Sequence, residues 1–339
     1  AGAVPGPACY GRGGSEPTVT DAQVALGRLD PKRFLGGDLS IDRELAEEAI
    51  KKYIADPLNL SITEAALGIL KIVNNNMALA INANSVAKGI DPRSFTLMGF
   101  GGAGPLHSVA LADMIKAQDV ISPVQPGITA AMGLLVTDLQ YEYTRSVLQT
   151  LDNANDIAIE TINKTVEELT NEANNQLESD GIAPSARKFK KIMECRYLGQ
   201  GFELRANMPE EVLTQDNKKY IIDSFFDVHK ETYGHAFRDQ ITEGVTLRVV
   251  ASADVDQLSL PKLSFGGRDN PHDALIYTLD TIFDDGTTQA TPRYDRAKLL
   301  ESDRLEGPAI ITQHNSTTLV PPGFKATVLE FGDIRIARV

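Results

Sequence analysis

Glycines at 101, 102 and 104, followed by Pro105, fall where a short apolar run, "FTLMGF" (95–100), gives way to a helical pattern, "PLHSVALADMIKA" (105–117). Glycine lets a backbone come within contact distance of a planar or anionic ligand, and a helix's first turn offers N–H groups without intrahelical partners. Pro105 suits that turn, where its missing N–H costs nothing. Gly101, Gly102, Ala103, Gly104 and Pro105 are therefore read as a candidate ligand wall, with tight strand–helix packing as the alternative. The spacing is not G-x-G-x-x-G, and the Lys-Ser/Thr of a P-loop is absent. His107 follows in the same first turn. The helix dipole disfavours an imidazolium there, so a neutral ring is expected, making either a structural hydrogen bond or a ligand contact.

The second candidate is "GPACYGRGGSEPTVTDA" (6–22), with glycines at 6, 11, 13 and 14. Arg12 and Gly13 could form a phosphate-facing loop, Arg12 supplying the cation. Asp21 could hold a magnesium-bound water as a catalytic carboxylate, or it could cap a helix, the commoner task for Asp in such a position. Cys9 has no base beside it and makes a poor nucleophile. The sequence displays no carboxylate pair suited to acid–base work, no serine elbow and no metal-ligand cluster. Arg196, Gln200 and His314 could line a groove, but a surface or interface role is expected.

The elements that must position these residues can be read from apolar spacing. "PTVTDAQVALGRL" (17–29) enters a helix that Thr20 or Asp21 could cap, and "LSIDRELAEEAIKKYIA" (39–55) is amphipathic. Residues 60–89 form a long, mostly buried helix, opened by a Ser61/Glu64 capping box and ended by Gly89. Its Asn74-Asn75-Asn76 run is expected on a solvated or interface side. "DVIS" and "PVQPGITAAMGLLVTDL" repeat the strand–loop–helix order, with Gly127 in the turn. Ile159, Ile162, Val166, Leu169, Ala173 and Leu177 then mark an amphipathic helix stopped by Gly181. "KFKKIMECRYLGQGFELRANMP" predicts a hairpin, a helix is expected over 217–233, and the rest reads mostly as strands. These expectations give an α/β domain over 1–150 and a β-rich α+β domain over 151–339, with the boundary near 145–155.

The 339 residues carry 33 Lys and Arg against 46 Asp and Glu, a net charge of −13. Without basic clusters, such a chain is a poor partner for nucleic acid or an anionic membrane. Two cysteines, Cys9 and Cys195, argue against a disulfide framework or a local zinc motif and fit a reducing cytoplasm. No apolar run approaches the ~20 residues of a membrane span.

Several stretches also resemble, in order, the hydantoinase A / 5-oxoprolinase family: "GPACYGRGGSEPTVTDAQVALGRL", "FLGG", "FGGAGPLH", "PGITAAMGLLVTD", "RYLGQGFEL", "EGPAIITQHNSTTLVPPG" and "GDIRIAR". That family includes ATP-dependent N-methylhydantoinases and oxoprolinases, and related subunits of acetone and acetophenone carboxylases. The resemblance implies an α/β fold, part of an actin-like (ASKHA) ATPase lobe followed by a β-rich α+β C-terminal domain. It further implies ATP and Mg2+ as cofactors, a small cyclic-amide substrate and a hydantoinase B-type partner subunit. Gly101–Pro105 would form the adenosine side of the nucleotide site, with the Arg12–Gly13 loop beside the phosphates. The family's N-terminal phosphate motifs do not occur in this sequence, so the chain is expected to be the C-terminal half of a longer protein. Alone it would be inactive. A ketone carboxylase subunit and a non-catalytic binding or assembly module are the competing readings.

Overall fold

The computed structural model describes residues 4–254 and 259–339. Along the chain, α1 (Val19–Ala25) starts at Thr18, whose hydroxyl and the Asp21 carboxylate make a reciprocal capping box. The cap therefore precedes both residues that the sequence offered for that task. Asp42 caps α2 (Arg43–Ile50), which continues through a π-helical segment, Lys51–Ala55, into a last turn, α3 (Asp56–Leu58). The expected Ser61/Glu64 box opens α4 (Ile62–Asn84). Next come β1 (Leu97–Met98), α5 (Gly104–Ile115), β2 (Val120–Ser122), α6 (Thr129–Val136) and β3 (Leu139–Thr150). The following elements are α7 (Asp156–Ser179), β4 (Arg187–Tyr197), β5 (Leu204–Asn207), α8 (Lys219–Tyr233) and β6 (Thr242–Ala253). Seven short strands finish the chain: β7 (Leu275–Ile282), β8 (Thr288–Asp295), β9 (Arg304–Glu306), β10 (Ala309–Gln313), β11 (Ser316–Val320), β12 (Phe324–Val328) and β13 (Ile334–Arg338).

The mixed α/β architecture is present, but the compact units do not follow one cut near 145–155. One unit contains residues 1–133 together with 259–339, and the other contains 134–258. Strand pairing is the reason. In the first unit β1 and β2 pair in parallel, and β13 then adds antiparallel to β2, with Ile336 opposite Val120. The sheet order is β1-β2-β13-β12-β9, so the chain's last strand completes a sheet begun two hundred residues earlier. Alternating Ile334 and Ile336 point one face of β13 into that core. A second sheet in this unit runs β11-β10-β8-β7. Its strand β8, "TQATPRYD", was not expected from the sequence because Pro292 and five polar residues obscure the alternation.

In this unit α5 is buried on three sides. Val109 and Ala112 pack on the β1–β2–β13 core, Leu106 joins Cys9, Val24 and Ile310, and Leu111 and Ile115 meet Ala78 of α4. A helix with apolar residues on most of its faces belongs inside a protein, and each fully buried large aliphatic contributes about 1.5–3 kcal/mol. That burial fixes the position of the helix's N-terminus.

The second unit is a four-stranded antiparallel sheet, β3-β6-β4-β5, carrying α7 and α8. The α7 stripe is the one expected from spacing: Ile162, Leu169, Ala173 and Leu177 are fully buried, and Gly181 follows at φ 76°. Tyr197 anchors an aromatic cluster with Phe225 and Phe226, donating its hydroxyl to none of them but accepting from Phe237 N at 2.7 Å. Strand β3 was also not expected; charged and polar residues occupy most of its length.

Candidate functional site

The glycine stretch before α5 divides between the two readings offered for it. A Cβ on Gly99 would lie 1.7 Å from Ser108 Oγ, which itself donates to Gly104 O at 2.7 Å. Gly104 approaches the Gly99 backbone, where a Cβ would sit 3.5 Å from the carbonyl carbon. These two glycines serve strand–helix packing. Gly101 differs: at φ 86° it has no atom within 4 Å of a built Cβ, and its N–H donates to Pro126 O at 2.6 Å. Gly102 and Ala103 are exposed, and no side chain caps the N-terminus of α5. Pro105 is buried in the first turn. The open face therefore consists of Gly101, Gly102 and Ala103.

Beside that backbone stands the chain's own β10–β11 hairpin, whose register pairs Gln313 with Ser316 and leaves His314-Asn315 as the turn. Three separate glycine motifs make room for these two residues. A Cβ on Gly102 would meet Asn315 O at 3.4 Å, one on Gly127 would meet the Asn315 carboxamide at 2.5 Å, and one on Gly36 would meet His314 Nδ1 at 2.5 Å. The Gln313 amide nitrogen ties the hairpin to the strand-end loop, donating to Val124 O at 3.1 Å and Gln125 Oε1 at 2.8 Å.

Between the hairpin, the Gly102–Ala103 backbone and the loop after α1 lies a cavity of about 220 Å³. Tyr10, Leu29, Phe34 and Leu106 supply its apolar side, with the Tyr10 and Phe34 rings 5.7 Å apart and tilted by 49°. Thr20, Asp30, Gln313, Asn315 and Ser316 supply polar groups, and Arg33 adds a cation. Leu35, also on the lining, holds a left-handed backbone at φ 49°, uncommon for a residue with a branched side chain. His314 joins this lining, stands 3.7 Å from Asp38 and is largely exposed, so it has the surface position expected of it and also borders the cavity.

Asp21 has no access to solvent. Its carboxylate accepts from Cys9 N at 2.7 Å, Ala8 N at 3.3 Å, and Thr18 N and Oγ1 at 2.8 and 2.7 Å. Three of these donors reach Oδ2 and one reaches Oδ1, so Asp21, shut off from solvent, fastens the 8–18 loop to α1. This is the capping geometry that the sequence offered as one of two readings for Asp21. Cys9 is fully buried beside it, and burial first, then Asp21, pushes its thiol far above the ordinary range. Arg12 and Gly13 lie on the exposed tip of this loop. Tyr10 is raised from its usual value mainly by burial, and the Arg12 charge acts in the opposite sense.

His107 is buried between three elements. Its Nδ1 is 2.7 Å from Asn74 Oδ1 on α4, and its Nε2 is 3.3 Å from Gln23 Nε2 on α1. A proton on Nδ1 and a lone pair on Nε2 satisfy both contacts, which is the neutral ring expected. Burial lowers its pKa, Arg28 lowers it further, and Asp284 opposes them. Of the run expected on a solvated or interface side, Asn74 is buried where α4 meets α5, while Asn75 and Asn76 are exposed. His107 serves as a brace between helices rather than reaching the open glycine face. Asp30, Asn315 and Ser316 were missed by sequence reasoning; the polar "QHNST" run (313–317) between two apolar strands is the signal that marks Asn315 and Ser316, and nothing local marks Asp30.

Residues 1–143 match the hydantoinase/oxoprolinase family and residues 149–335 match the hydantoinase/oxoprolinase C-terminal domain. An uncharacterised protein of Methanocaldococcus jannaschii is 33% identical over 339 residues, covering 100% of this chain and 47% of its own length. The caprolactamase alpha subunit of Pseudomonas jessenii is 31% identical over 334 residues, covering 97% of this chain and 47% of its own. Among solved structures, nucleotide-free acetone carboxylase, described as ATP-dependent, superposes with a TM-score of 0.84 at 25% identity, over 98% of this chain and 48% of that one. The chain spans about half the length of the relatives it matches. Both halves of the sequence carry the same assignment, and the chain belongs to the hydantoinase/oxoprolinase family.

Proposed function

We propose that this chain supplies one wall of the nucleotide site of an ATP-dependent enzyme that opens cyclic amides by hydrolysis. The observation that carries this reading is the exposed backbone of Gly102 and Ala103 at the uncapped N-terminus of α5, beside half-buried Gly101, whose Cβ position is empty. Such a surface fits a purine nucleotide: Gly101 has space where a side chain would stand, and the helix end offers N–H donors. Bound ATP would supply the phosphoryl group that makes an amide oxygen a leaving group.

The chain's own residues bind and position. Arg12 and Gly13 sit on an exposed loop suited to phosphate contact, and Asp21 holds that loop in place. His107 fixes α5 against α1 and α4, and so the helix end against the cavity. Among the described residues no group of three or more His, Cys, Asp or Glu converges as metal ligands. Magnesium is proposed to accompany the nucleotide, and no step is assigned to it here. The opposite wall of the site, a hydantoinase B-type partner and the family's domain division at 1–150 and 151–339 belong to the same proposal. On this reading the chain alone positions no γ-phosphate and turns nothing over.

An ATP-dependent ketone carboxylase subunit is the second reading, favoured by the likeness to acetone carboxylase. ADP release by the full-length protein with its partner subunit separates the two. Turnover with hydantoin, N-methylhydantoin or 5-oxoproline supports the hydrolase. Bicarbonate-dependent ADP release with acetone, and none with any cyclic amide, sinks it.

A further inference from the structure

Two side-chain oxygens on the 220 Å³ cavity have no hydrogen-bond partner although both residues are more than nine-tenths buried: Asp30 Oδ2 and Ser316 Oγ. Gln313 Oε1 and Asn315 Oδ1, on neighbouring lining residues, are also buried and unpartnered. Elsewhere these side chains are engaged: Asp30 Oδ1 accepts from Lys32 N at 2.9 Å, and the Gln313 nitrogen makes two bonds. What is left over is mainly acceptor capacity, on residues that line one cavity. A buried acceptor without a donor costs about 1–3 kcal/mol, so a cluster of them marks a place for a donor-bearing guest.

The rest of the cavity limits that guest's shape. Tyr10 and Phe34, also on the lining, suit a flat ring. The volume lies below the roughly 300–1,000 Å³ usual for drug-sized ligands, too small for a nucleotide with its sugar and phosphates. The strained Leu35 backbone and the close approach of His314 to Gly36 show two loops held tightly around this space.

We propose that the cavity is a subsite for a small planar ring carrying N–H donors, a cyclic amide or cyclic urea, read by Asp30, Ser316 and the Gln313–Asn315 turn. The proposal rests on the cyclic-amide reading above and adds the place and residues of ring recognition. A ring seated there lies against Gly102 and Ala103, the backbone assigned to the nucleotide wall. The whole subsite comes from this chain, so the chain alone should bind the ring even without turnover.

The test is ligand-observed NMR and titration calorimetry on the 339-residue chain, with hydantoin and 1,3-dimethylhydantoin as probes. Hydantoin is expected to saturate in the millimolar range, and the dimethylated ring, which has no N–H, to bind at least about tenfold more weakly. Ser316→Ala is expected to weaken hydantoin by about fivefold, with an unchanged circular-dichroism spectrum. Leu106→Phe, which fills the cavity from its apolar side, should abolish binding and serves if Asp30→Asn fails to fold. Equal binding of both rings, or none of hydantoin, overturns the proposal; the latter would mean that water alone satisfies these oxygens. Displacement of hydantoin by adenosine at equal stoichiometry would make this the purine pocket, overturning the subsite while leaving the nucleotide reading intact. Hydantoin binding to the chain, together with no ATP binding by the full-length protein, does the reverse.

Discussion

Gly127 and Asn315, 188 positions apart in sequence, meet with no room for a methyl group between them: a Cβ on Gly127 would stand 2.5 Å from the Asn315 carboxamide. The glycine of a loop after β2 is there to receive the turn of a hairpin from the end of the chain. The same turn is received by Gly36 and Gly102. Gly127→Ala should therefore destabilise the protein by about 1–3 kcal/mol through overpacking. Adding Asn315→Ala should recover most of that loss, because the clash is with the Asn315 side chain. Thermal denaturation of the two single variants and the double variant closes the cycle, and additive effects would show that the pair is not coupled.

Gly99 and Gly102 are expected to separate stability from binding. Gly99→Ala places a methyl 1.7 Å from Ser108 Oγ and 2.8 Å from its Cβ, and should lower the melting temperature measurably. Gly102→Val extends toward an exposed face with only Asn315 O at 3.4 Å from the new Cβ. Its melting temperature should stay close to that of the unaltered chain, while ATP affinity of the full-length protein falls by tenfold or more. Unchanged ATP affinity would remove Gly102 from the nucleotide wall.

The brace at His107 should make stability depend on pH. Burial and Arg28 favour the neutral ring, so the folded pKa lies below the unfolded one of about 6.5. Stability from this residue is complete above the unfolded pKa and is lost as pH falls from there toward the folded value, since the unfolded chain takes up the proton first. The slope is at most about 1.4 kcal/mol per pH unit. Melting curves between pH 7.5 and 5.5 should show the unaltered protein's advantage over His107→Gln shrinking with acidification. A constant advantage would mean that the ring is not held neutral.

Neither thiol should react in the native state. Cys9 and Cys195 are fully buried, and burial raises both well above their usual range, with Asp21 adding to the effect at Cys9. Ellman's reagent at pH 8 should release colour only after denaturant is added. Prompt reaction of one thiol per chain, removed by Cys9→Ala, would show that the 8–18 loop opens.

Periodicity made most of the helices legible. The α7 stripe and the Ser61/Glu64 box are local features, determined by spacing that a chain shows before it folds. Strands β3 and β8 were not legible, because sheet position rather than composition stabilises them. The Asn74–Asn76 run was only partly legible for a related reason: one of three adjacent amides turns inward because His107 waits there, and His107 lies on another helix.

The sequence by itself determined the family, the mixed α/β character, the long amphipathic helices and the glycine-rich character of the loops. All of these follow from residue types at short separations, or from motifs carried whole. The tertiary structure decided which glycines face solvent and which face protein, that the C-terminal strands close the first unit's sheet, and that Asp30 and Ser316 share a cavity. Those facts depend on contacts between residues hundreds of positions apart, and short-range periodicity contains no information about which distant segment will fill the space a glycine leaves.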